Sequence, residues 1–162
     1  MTAKIIFFIF PVLLVLLPVL LYKRYSPFMV KIWVRMIYDH STRKMAANIL
    51  AMILIFFHPA YYAVFPQDRG IMLSLPIVFF LFFTKLSVKA LMTIRRNRYL
   101  RWSMTLACLI MPFIPHLLPM AISMAFALEF SYFYPADGME KFYEEHAGED
   151  DVDKKFIETY FK

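Results

Sequence analysis

Two histidines, His58 and His116, lie inside apolar stretches, and each adjoins a proline: "FFHPAYY" around the first, "IMPFIPHLLPM" around the second. An imidazole among hydrocarbon side chains can ligate a metal or haem iron, relay a proton, or hydrogen-bond a backbone carbonyl. His58 and His116 each fall 15 residues beyond an arginine, Arg43 and Arg101. At ~1.5 Å per helical residue both rings are predicted about 22 Å along their helices, at one level. Pro18 and Pro76 repeat the histidines' 58-residue offset, a sparse sign of a duplicated helical hairpin. Asn48, Lys85 and Lys89 complete the candidate polar site within the apolar stretches.

The simplest use of the two rings is as interhelical glue, because a nearby proline leaves a backbone carbonyl without its donor. Two sharper readings stand beside it. One is an oligomeric ion or proton path through His58, His116, Lys85 and Lys89. The other is a haem held between the two imidazoles. Nothing else in the sequence supports haem: there is no CxxCH and no further pair of histidines in the apolar runs. No catalytic residues are expected, since G-x-S-x-G, HExxH, Walker and dinucleotide patterns are all missing. No metal site is expected either. "EDDVD" near the end lacks the ligand spacing and glycine of a calcium loop and reads as a solvated acidic face.

The elements that must position these groups are apolar blocks. Of the 162 residues 61% are hydrophobic, and only 3 are glycine, a composition beyond that of ordinary soluble domains. Four runs reach the ~20 residues that a helix needs to cross a hydrocarbon layer. They cover about 5–22, 45–65, 71–92 and 103–128. The first is followed by Lys23 and Arg24 without a small-residue cleavage site, so it is read as a retained span. The expectation is an all-α integral membrane protein with a four-helix domain over 1–128. An acidic, aromatic tail follows over 129–162.

Charge is divided between the two parts. Residues 1–128 hold 14 basic and 2 acidic side chains, and residues 129–162 hold 4 and 10. The cations cluster in two connections, Lys23, Arg24, Lys31 and Arg35 in one and Arg95, Arg96, Arg98 and Arg101 in the other. Basic loops stay cytoplasmic. The threading expected from this is a multi-pass protein of a bacterial inner membrane with both termini extracytoplasmic. The cations would bind anionic headgroups or a partner, and a position beside apolar runs argues against nucleic acid.

Two further elements are predicted. Over about 27–39, Phe28, Met29, Ile32, Trp33, Met36 and Ile37 form a stripe opposite Lys31 and Arg35. That is the pattern of a helix in the membrane interface, or of one packed on the end of the bundle. Beyond Glu129, itself read as an interface residue, short helices are expected over Met139–His146 and Asp151–Phe161. Phe142, Tyr143, Phe156 and Tyr160 would be their docking residues, on the bundle itself, a lipid surface or a partner. The function expected is a binding or assembly subunit of a larger membrane complex, or a homo-oligomer, of secretion, conjugation, defence or toxin-immunity type.

Overall fold

The structure, a computed structural model, describes residues 9–16, 26–149 and 151–160. Among them every element is helical. Residues 9–16 are helical. Then follow α1 (Ser26–Tyr38), α2 (His40–Val64), α3 (Ile71–Phe82), α4 (Thr84–Arg96), α5 (Arg98–Ile110), a 3₁₀ turn (Met111–Phe113), α6 (Leu118–Ser131), α7 (Asp137–Glu145) and α8 (Val152–Tyr160). Pro18, Lys23 and Arg24 lie outside the described residues.

The second apolar run forms α2, whose mean hydropathy of 1.6 over 18 residues and length of 25 suit a membrane crossing. Its start is dictated locally. Asp39 has extended backbone, and its carboxylate accepts from the Ser41 amide (2.8 Å) and the Thr42 hydroxyl (2.7 Å). It thereby satisfies donors that the first helical turn leaves free. The Thr42 bond first, and the Ser41 amide next, hold the Asp39 carboxyl below the usual carboxylate range. Leu50, Leu54 and Tyr61 recur at helical spacing and lie fully buried. Met52, Phe56 and Tyr62 point outward.

The third run, expected as one helix over 71–92, is two helices bent by 108° at Phe83. The break is not at Pro76. The Ser87 hydroxyl, completely buried, lies within 3.3 Å of the Phe80, Leu81 and Phe83 carbonyls. It takes up acceptors that a broken helix end exposes.

The fourth run, expected as one span over 103–128, folds back on itself. α5 and α6 lie side by side, joined by the turn over 111–117. Prolines decide the reversal. Pro115 drives Ile114 into extended backbone (φ −97°, ψ 129°). His116 adopts the left-handed conformation at φ 66°, and Pro119 sits in the first turn of α6, where its missing N–H costs nothing. Each arm, of 13 and 14 residues, is about 20 Å long, short of the ~30 Å hydrocarbon core. By length and composition α2 is therefore the one clear membrane helix among the described residues. The α3–α4 pair is a second only if the bend is tolerated.

Reversal also brings the tail back. Residues 132–145 meet the basic connections instead of lying at the opposite end, as the sequence reading had them. α1 turns Met29, Val30, Trp33 and Met36 inward. Its stripe packs on Met139, Tyr143 and Phe156 of the tail helices, so the tail docks on its own bundle. A second core joins α2, α3, α4 and α6 around Leu50, Leu54, Leu81 and Ile122.

Candidate functional site

The predicted polar site is dispersed. His58 is buried, and its ring is fully engaged: Nδ1 lies 2.7 Å from the Leu54 carbonyl and Nε2 2.7 Å from the Ser74 hydroxyl. A carbonyl only accepts, so Nδ1 carries the proton in that bond. The carbonyl chosen is Leu54's, one residue before the Ile55 carbonyl that Pro59 leaves without its helical donor. Nε2 then accepts from the Ser74 hydroxyl, whose one proton it shares with the Ile71 carbonyl 2.9 Å away, and this ties α2 to the first turn of α3. Asn48, Lys85 and Lys89 are exposed.

His116 stands elsewhere, exposed at the tip of the α5–α6 hairpin. Its Nδ1 meets Asp68 Oδ1 at 2.7 Å. No hydrogen bond or ring contact joins His58 and His116 among the described residues, so the predicted facing pair does not form. Among the same residues no three His, Cys, Asp or Glu side chains converge as metal ligands.

Asp68 is the hub of the far end. Besides His116 it accepts from the Tyr61 hydroxyl (2.5 Å) and the Gly70 amide (2.9 Å). Burial pushes its carboxyl up, but the bonds from Tyr61, His116 and Gly70 outweigh this and hold it below the usual range. Gly70 is required by close approach: a Cβ there would collide with the His116 carbonyl. Asp68 is not among the residues that the sequence pattern singles out. Its signal was available, since it is the one acid between His40 and Leu128, and a lone carboxylate in an apolar chain needs donors.

At the other end the basic connections are used internally. Arg95, expected to bind lipid or a partner, is buried. Its Nε donates to the Tyr134 carbonyl at 3.2 Å, and its guanidinium lies over the Trp33 and Tyr132 rings, 5.8 and 5.2 Å from their centroids. Arg101 is half-buried and donates to the Arg95 carbonyl. Arg96 pairs with Asp137 (2.6 Å) and Glu140 (2.5 Å) of α7. Arg43 pairs with Glu140 (2.9 Å) and donates to the Met36 carbonyl (2.5 Å), closing the C-terminal end of α1. The Trp33 indole donates to the Tyr132 carbonyl at 3.0 Å, and the Tyr134 hydroxyl to the Arg43 carbonyl at 2.7 Å. Lys31, Arg35 and Arg98 remain exposed.

The proposed tail contacts turn inward as well. Tyr143 and Phe156 are buried, and Phe142 is half-buried against them. Tyr160 ends α8, and its side chain lies outside the described residues. The Tyr143 hydroxyl donates to Asp153 at 2.8 Å, joining α7 to α8. Burial, then this bond, pushes the Tyr143 phenol above its usual value. Glu129, read as an interface residue, is buried, and its Oε2 has no hydrogen-bond partner among the described residues.

Comparison of the chain with protein families, curated proteins and solved structures found no match.

Proposed function

We propose that this chain is a multi-pass membrane protein that works as a binding or assembly component, its cytoplasmic end closed by its own tail. One observation carries the reading. The exterior is apolar: Met52, Phe56, Phe79, Phe82, Leu106 and Phe113 are all more than half exposed. The interior holds Ser74, Ser87, Ser123 and His58. Bare apolar surface on this scale is unfavourable in water and ordinary against lipid.

In this reading α2 and the bent α3–α4 pair traverse the bilayer. The α5–α6 hairpin carries the chain from the basic end to the Asp68 loop and back. Tilting or local thinning of the bilayer accommodates the short arms. The exposed Lys31, Arg35 and Arg98 support a cytoplasmic position for the basic end. The tail shares that side through Arg43 and Arg96, which reverses the orientation expected for it. A bundle this small, with aromatic side chains outward, gains from association with copies of itself or with a larger complex.

The test is membrane retention combined with orientation. Expressed in a bacterial host, the chain should resist alkaline carbonate extraction. A fluorescent protein fused at the C-terminus should be bright, and an alkaline phosphatase fused there inactive. Release by carbonate would reject the membrane reading; an active phosphatase would reject the orientation alone. In mild detergent, blue-native electrophoresis should show the chain above the mass of a single detergent-bound copy.

A further inference from the structure

An open groove of about 360 Å³ runs between α1, the first turns of α2 and the C-terminal end of α6. Met36, Met45, Ala46, Ile49 and Phe130 line it, and Arg35 and Thr42 stand at its mouth. Its volume lies within the range of roughly 300–1,000 Å³ common to ligand sites. Met45 and Ile49 are exposed and continue into the apolar outer face of α2. The groove therefore opens sideways, toward where lipid would lie, and its walls offer hydrocarbon.

Charge at the mouth narrows the occupant. Arg35 is exposed and makes no ion pair among the described residues, in contrast to Arg43 and Arg96, which the tail occupies. Lys31 is exposed one turn earlier on α1, and Lys44 one turn into α2. The nearby carboxylate, Asp39, caps α2 through the Ser41 amide and the Thr42 hydroxyl, and it attracts Arg35 electrostatically without an ion-pair contact. Arg35 therefore keeps its fork of donors beside an apolar slot, the geometry that a phosphodiester attached to an acyl chain would satisfy.

Resting on the membrane reading above, we infer that the groove holds one acyl chain of an anionic phospholipid, with the Arg35 guanidinium on its phosphate. The lipid would lie at the cytoplasmic leaflet, where anionic headgroups concentrate, and would fill the seam between α1 and the bundle.

The full chain in non-ionic detergent can be titrated with phosphatidylglycerol or phosphatidylcholine of equal chain length and read by native mass spectrometry. One phosphatidylglycerol should be retained with a preference on the order of tenfold, because both lipids carry the phosphodiester but the choline cation offsets its charge and repels Arg35, Lys31 and Lys44. Arg35→Gln should abolish the preference, whereas Arg98→Gln, exposed away from the groove, should keep it. Ile49→Trp, which fills the slot from its open side, should reduce retention of both lipids. Free glycerol phosphate at millimolar concentration should not compete. Equal retention of the two lipids, a preference surviving Arg35→Gln, or displacement by glycerol phosphate would overturn the inference. Carbonate extraction reports separately on the membrane reading, so a chain retained in membranes without lipid preference sinks the groove proposal alone.

Discussion

At the basic end three arginines, an indole and two short helices share the closure, whereas at the far end one carboxylate does. Trp33, fully buried, meets Arg95, Phe156 and the Tyr132 carbonyl. Glu140 receives both Arg43 and Arg96. Opposite, Asp68 alone collects Tyr61, His116 and Gly70. The basic end combines hydrophobic burial with charge and spreads its stability over many groups. The far end relies on hydrogen bonds converging on one side chain. Loss of a large apolar group should therefore hurt most at the basic end, and acid should act selectively at the far end.

The largest effect is expected from Trp33→Ala. It empties the centre of the α1–α7–α8 core and leaves the Tyr132 carbonyl without its donor, a loss of about 3–5 kcal/mol by the scale of buried aromatic truncations. Limited proteolysis in detergent should then cleave 132–160 while α2–α6 resists; a tail that stays protected would mean that charge holds it unaided.

Glu140→Gln comes next. It weakens two arginine bonds in a partly shielded pair, in which Arg43 is 14% and Glu140 20% exposed, and should cost about 1.5–3 kcal/mol. Asp137→Asn, at a side chain 60% exposed, should cost less than about 1 kcal/mol. Equal losses in thermal unfolding would deny that shielding separates the two pairs.

Gly70→Ala probes the far end through packing. The added methyl meets the His116 backbone, which cannot swing aside as a side chain does. A loss of about 1–3 kcal/mol is expected, read as a lower unfolding temperature. An unchanged temperature would show that the hairpin tip moves freely.

The smallest effect is the pH dependence at Asp68. Its folded-state value is depressed, so its contribution is fully present above the unfolded value of ~3.9 and is lost as pH falls through the lower folded value. The stability difference between the wild type and Asp68→Asn should therefore persist from pH 7 to about 5 and shrink as pH falls below about 4. A difference that stays constant at low pH would assign the loop's stability to packing around Gly70.

Much of the local structure was legible. The α1 stripe was placed within a residue, because amphipathic spacing is a property of the helix itself. Both tail helices were placed closely, since they follow from turn residues and acidic first turns. The dispersal of the polar site was not legible. His58 and His116 were put at one level by assuming two parallel straight helices, and the hairpin at 111–117 removed the second. Arg95 reads in sequence like its neighbours Arg96 and Arg98; only the rings of Trp33 and Tyr132, far away in the chain, make it a buried cation.

What the sequence determined by itself was helix almost throughout, the apolar outer surface, and the ends where cations gather. These depend on each residue's own transfer free energy and its near neighbours. Tertiary structure alone decided the direction of the last apolar run, the bend at Phe83 and the seat of the tail. Three prolines permit either a kinked span or a reversal. The choice falls to partners distant in sequence: Asp68 catches the turn at His116, and Arg43 with Arg96 catches the returning carboxylates.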